Sequence, residues 1–143
     1  MKEYLSCSPS QTVEIGRKIA NLLKNGDVIA LFGDLGMGKT CLISGIADGL
    51  EFSGEVSSPT FALVNEYIGG RLNLYHFDMY RVLSWEDLYS SGYFDYLESD
   101  GVLAIEWSEN IEAALPDGVI EIKIQRINET GRKITVGKRA EKS

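Results

Sequence analysis

A chain of 143 residues, 44% hydrophobic and 24% charged, has the size and balance of one compact globular domain spanning 1–143. No apolar run approaches the roughly 20 residues a bilayer crossing needs, Met1-Lys2-Glu3-Tyr4 lacks signal-peptide character, and two cysteines are too few for a disulfide framework or zinc site, so a reduced, cytoplasmic protein is expected. The formal charge of −7 is unevenly spread, with 7 basic and 19 acidic side chains in residues 1–122 against 7 and 2 in residues 123–143, and such a body repels nucleic-acid phosphates.

Ser8-Pro9-Ser10-Gln11 reads as a helix start, with Ser8 as N-cap, Pro9 in the first turn and Gln11 completing a capping box. Ile15, Ile19, Leu22 and Leu23 recur at helical spacing, and Asn25-Gly26 is expected to end that helix. The apolar run from Asp27 to Phe32 suits a strand buried on both faces of a parallel sheet. A glycine-rich turn, Gly33 to Gly38, follows, and then a helix carrying Leu42, Ile43, Ile46 and Leu50. Phe61 to Ile68 and Arg71 to His76 flank Gly69-Gly70 as a hairpin. Ser84 caps a further helix whose first turn holds Glu86 and Asp87. Val102 to Ile105 is a second buried strand, ended by Glu106. Val119 to Ile127 alternates, turns near Glu129-Thr130-Gly131 and returns as Lys133 to Val136, leaving 137–143 as a frayed tail. This mixture predicts the α/β class with a mixed sheet.

Gly33-Asp34-Leu35-Gly36-Met37-Gly38-Lys39-Thr40 spells G-x-x-x-x-G-K-[ST] between an apolar strand and a helix, the setting that gives the motif its meaning. Glycines at 33, 36 and 38 let backbone N–H groups converge on phosphate oxygens, and the following helix adds its positive dipole end. Lys39 would reach the β- and γ-phosphates, the Thr40 hydroxyl would ligate Mg²⁺, and the nucleotide-contacting run extends through Cys41. The fold is therefore expected to be a P-loop NTPase-like mixed β-sheet flanked by helices. A second acid for the metal belongs at the end of another apolar strand, where Glu106 stands; Asp78 is the other candidate, or it orients an attacking water, or it pairs with Arg81. Thr60, in Ser57-Ser58-Pro59-Thr60-Phe61, occupies the interval where switch proteins sense the γ-phosphate, unless it only forms a Pro-Thr turn. His76, the single histidine, reads as hydrogen-bonded structure more readily than as a catalyst.

Taken in order, the phosphate loop, Ser58-Pro59-Thr60-Phe61, His76-x-Asp78-x-Tyr80-Arg81, Glu106-Trp107-x-Glu109 and Gly131-Arg132 make the sequence resemble the TsaE family, small P-loop ATPases of bacterial tRNA threonylcarbamoyladenosine biosynthesis. Met37 departs from the more common Ala, at a position where backbone amides make the contacts. The resemblance implies an ATPase using ATP and Mg²⁺ together with TsaB and TsaD, and for an RNA-modification protein the acidic body argues that tRNA is touched mainly through these partners. It implies Thr40 and Glu106 as metal ligands, Lys39 on phosphate, and Thr60 and Asp78 as switch or catalytic residues. It also implies Trp107 near the nucleotide and Gln11, Thr12 and Arg132 bordering the adenine, although Trp107 alone reads equally as a core aromatic.

Other functions compete. A small-molecule kinase needs an arginine-bearing lid, yet none of the six arginines lies between 82 and 125. A GTPase switch lacks its Asn-Lys-x-Asp segment. A non-hydrolysing nucleotide-gated binding module stays open, because no catalytic base or arginine finger in cis is evident; the same absence predicts slow turnover that a partner accelerates. The stretch from 82 to 122 holds ten carboxylates, no Lys or Arg, and aromatic residues including Trp85 and Tyr89, so it is either a docking surface for a basic partner or a solvated face over an aromatic core.

Overall fold

Strand β2 (Val28–Gly33) lies at the centre of a seven-stranded sheet in a computed structural model that describes residues 2–33, 38–54 and 64–138. Its neighbours, β5 (Val102–Glu106) and β6 (Ile120–Arg126), both run parallel to it. Beyond β5, β4 (Leu74–Asp78) continues the parallel run and β3 (Val64–Tyr67) closes that edge antiparallel. On the other side β7 (Arg132–Lys138) and β1 (Lys2–Ser6) are antiparallel, giving the order β1-β7-β6-β2-β5-β4-β3.

The apolar runs explain the layering. In β2 and β5 both faces are buried, as expected of strands covered on two sides. Ile29, Leu31, Val102 and Ala104 face α1 (Pro9–Ala20) and α2 (Lys39–Gly49). Val28, Ala30, Leu103 and Ile105 face a second core shared with Leu88 of α3 (Trp85–Ser90), Tyr93 of α4 (Tyr93–Leu97) and Ile111 of a 3-10 segment, Ser108–Ala114.

Helices α1 and α2 pack through glycine. A Cβ on Gly45 would stand 2.0 Å from the Val13 carbonyl oxygen, and one on Gly16 would stand 2.5 Å from that of Leu42. Gly38 neighbours Thr12 while Gly49 neighbours Ala20, so the two N-termini lie at the same end.

Several sequence expectations change. Helix α1 stops at Ala20 with Asn21 as C-cap, not at Asn25-Gly26, because Asn25 instead accepts the Gly101 N–H at 2.5 Å and Gly26 turns the chain at φ +90°. Leu22 is consequently exposed rather than on the buried face. The hairpin pairs Tyr67 with Leu74, and its connection is longer than Gly69-Gly70 suggests because Gly70 packs against the Leu50 carbonyl. Edge strand β1 was not anticipated. Gly137 and Lys138, expected in a frayed tail, are paired with Glu121 and Ile120, and 139–143 lie outside the described residues.

Candidate functional site

The turn after β2 begins where the backbone cannot carry a side chain. Gly33 has φ +123°, and a Cβ there would sit 2.2 Å from the Ile124 carbonyl oxygen across the parallel pair. Asp34, Leu35, Gly36 and Met37 lie outside the described residues, as does Thr60. Gly38 resumes the chain at φ +99° as the N-cap of α2, without a side-chain cap. Lys39, the first residue of that helix, is 4% exposed and forms no salt bridge among the described residues, whereas Thr40 is exposed. A buried ammonium beside a helix N-terminus is complementary to an anion.

Two carboxylates stand at the C-terminal ends of neighbouring strands, with Asp78 of β4 paired in register with Glu106 of β5. Alternation puts both on the face covered by α1 and α2. The Glu106 side chain is only 13% exposed, and its Oε2 lies 2.5 Å from Nε2 of the buried His76. Asp78 Oδ1 accepts the Tyr80 N–H at 3.0 Å, and no Asp78–Arg81 ion pair occurs among the described residues. The Met79 N–H donates to the Glu106 carbonyl, tying the two strand ends together. Trp107 is half-buried: it packs against the second core, adopts φ +59°, and sets its ring in a tilted contact with the exposed Tyr80.

A cavity of about 360 Å³ opens where α1, α2 and the β6–β7 turn meet, within the size range of small-molecule sites. Thr12, Gly38, Cys41 and Arg132 line it, together with Cys7, Ser8, Pro9, Glu129 and Thr130. The Thr12 hydroxyl is engaged with Ser6 Oγ at 2.7 Å, so its methyl forms the wall beside Gly38. Arg132 is fixed by its own loop, donating from Nη1 to the carbonyls of Asn128 and Gly131. Gln11 is absent from this lining: its backbone N–H donates to Ser8 Oγ and its side chain accepts the Cys7 N–H, completing the cap one residue earlier than a capping box would.

The donor set suits Mg²⁺. A hydroxyl and strand-end carboxylates are hard oxygen ligands, and Mg²⁺ takes one or two of these while phosphates and water supply the rest. Among the described residues no group of three His, Cys, Asp or Glu could hold a metal by itself. The His76–Glu106 hydrogen bond and the Tyr80–Trp107 ring contact escaped the sequence reading. Their signal lay in the His76-x-Asp78-x-Tyr80 and Glu106-Trp107 spacings, which become contacts only when β4 and β5 pair.

Comparison with known proteins gives a consistent answer. A family profile described as "Threonylcarbamoyl adenosine biosynthesis protein TsaE" matches residues 6–134. A tRNA threonylcarbamoyladenosine biosynthesis protein TsaE from Treponema pallidum is 39% identical over 132 residues, covering 92% of this chain and 97% of the relative. Its counterpart from Bacillus subtilis is 41% identical, covering 97% and 89%. The crystal structure of Bacillus subtilis YdiB superposes with a TM-score of 0.81 at 36% identity, covering 94% of this chain and 83% of that one.

Proposed function

The chain belongs to the TsaE family of threonylcarbamoyladenosine biosynthesis proteins, and from that premise we propose that it is an ATP-hydrolysing, Mg²⁺-dependent subunit for forming N6-threonylcarbamoyladenosine in tRNA, acting with TsaB and TsaD. The observation that carries the reading is a buried Lys39 at the start of α2, the helix that follows β2, together with the Asp78–Glu106 pair at the ends of β4 and β5 on the sheet face that α2 covers. In this reading Gly33 through Cys41 cradle the phosphates, Lys39 contacts the β- and γ-phosphates, and Thr60 and Asp78 answer to the γ-phosphate or its attacking water. Thr12 and Arg132 border the base through the cavity they share, while Gln11 contributes by holding the cap of α1. Thr40 and Glu106 would hold Mg²⁺, which neutralises charge on the β- and γ-phosphates when bound.

The partners have a surface to meet. Tyr80, Leu83, Trp85 and Tyr89 are all more than half exposed, Leu83 at 84%. A hollow of about 180 Å³ lies among Val82, Trp85, Leu88, Asn110 and Ile111. No Lys or Arg occurs from 82 to 122, so an apolar anchor rimmed by carboxylates favours a basic protein partner. Its link to the site is short, since Asn110 Nδ2 donates to the Met79 carbonyl between Asp78 and Tyr80.

ATP turnover by the full chain, measured alone, with TsaB and TsaD, and with tRNA added, tests the reading. Slow turnover alone and faster turnover with the partners is expected. Equal rates would remove partner activation, and nucleotide-dependent partner binding without turnover would make the protein a nucleotide-gated module.

A further inference from the structure

We propose that His76 is a positioning residue for Glu106, fixing the orientation of that carboxylate before any ligand arrives. The inference rests on the reading of Glu106 as a Mg²⁺ ligand and assigns the buried imidazole a part in it.

The sheet makes the contact unavoidable. His76 is paired with Ala104 and Asp78 with Glu106, so the imidazole and the carboxylate share one face and stand one pair apart. Ala104, opposite the ring, has no side chain long enough to fill the space between them. Behind the ring stands Tyr67, 6.3 Å between centroids, and His76 is 1% exposed. The imidazole is therefore walled in with its Nε2 edge 2.5 Å from Glu106 Oε2.

Hydrogen-bond accounting assigns the tautomer. An ionised carboxylate only accepts, so Nε2–H is the donor. Nδ1 is buried and has no partner among the described residues. A lone pair there is tolerated better than a buried, unpaired N–H. One carboxylate oxygen is thus committed to the imidazole and the other is left for a ligand, the arrangement by which outer-shell groups orient metal ligands.

The test uses the full-length protein and its single histidine. In two-dimensional ¹⁵N–¹H spectra of the imidazole, the nucleotide-free protein should show the proton on Nε2, and Glu106→Ala should change that signature. A proton on Nδ1, or a spectrum indifferent to Glu106→Ala, overturns the contact. Fluorescent-ATP binding is then titrated with Mg²⁺ in wild type, His76→Leu and His76→Gln. His76→Leu should raise the Mg²⁺ requirement about tenfold or more, the usual cost of losing an outer-shell partner, while metal-free nucleotide binding holds. His76→Gln, which retains an N–H donor, should recover most of that loss. An unchanged Mg²⁺ requirement in His76→Leu defeats the role, and so does a Gln variant as impaired as Leu. Wild-type binding indifferent to Mg²⁺ would instead remove the metal assignment of Glu106, and this role of His76 with it.

Discussion

The rings of Tyr80 and Trp107 meet at 4.8 Å with an interplanar angle of 55°, each extending from a strand end that carries a site carboxylate. Trp107 reaches this position with φ +59° and ψ +41°, a conformation that costs a bulky residue on the order of 1–3 kcal/mol. Such cost is retained where the surroundings fix the residue, and here the Tyr80 contact, packing against the second core and the following 3-10 segment do so. Trp85→Phe leaves Trp107 as the sole indole of the chain. In that background ATP with Mg²⁺ should change the emission, and Tyr80→Ala should shift it to the red by uncovering the ring. Emission unaffected by nucleotide would place Trp107 away from the bound ligand.

Partner binding should be most sensitive at the exposed aromatic edge. Trp85→Ala should weaken binding to TsaB–TsaD by roughly 30-fold, about 2 kcal/mol, as expected for a central aromatic anchor. Glu86→Lys is the cleaner charge probe: Asp87 Oδ2 accepts the Leu83 N–H and the Asp87 N–H donates to Ser84 Oγ, so reversal at Asp87 would also disturb the start of α3. Calorimetric titration with the partner complex reads both variants. Affinities equal to wild type would return this surface to a solvated face.

What the sequence made legible followed from local chemistry. Ser8 and Ser84 cap helices where their side chains can reach the third N–H, and both contacts occur, at 3.2 and 3.1 Å. The apolar runs of β2 and β5 needed no context to be read as buried strands. Illegible features depended on pairing between distant segments. β1 is a short, largely exposed edge strand whose place comes from β7, and nothing in Lys2–Ser6 alone announces it. At the site, Thr12 and Arg132 come together only because α1 and α2 lie glycine to glycine and the β6–β7 turn folds over their N-termini. His76 is hydrogen-bonded as its sequence setting suggested, but its partner was hidden for the same reason, lying 30 residues away on the neighbouring strand.

Helix packing supplies a stability prediction. Gly45→Ala places a methyl 2.0 Å from the Val13 carbonyl oxygen, against backbone that cannot rotate aside. The helices must separate, at a cost of about 1–3 kcal/mol or somewhat more. Because the same pair of helices builds one wall of the cavity, nucleotide binding should weaken along with the denaturation midpoint. Gly26→Ala is the control: nothing lies within 4 Å of the added carbon, and only the φ of +90° is strained. A Gly45→Ala protein as stable as wild type would mean that α1 and α2 do not pack this closely.

Alkaline stability should depend on Tyr93. Its side chain is fully buried, its hydroxyl donates to the Ala114 carbonyl at 3.0 Å, and its ring meets Phe77 edge-on. Burial holds this phenol well above its ordinary value of 10. The unfolded chain therefore releases the proton as pH passes 10 while the folded chain keeps it, so the unfolded state binds fewer protons and stability falls. The contribution is complete below pH 10 and is lost above it. Tyr96 shifts in the same direction, chiefly by burial and then by its hydrogen bond to Glu66. Tyr93→Phe should cost about 1 kcal/mol at neutral pH through the lost hydrogen bond. Between pH 10 and 12 its stability should fall less steeply than wild type, by up to about 1.4 kcal/mol per pH unit. Urea denaturation at pH 8 and pH 11 compares the two slopes, and parallel curves would show that this phenol ionises equally in the folded and unfolded chains.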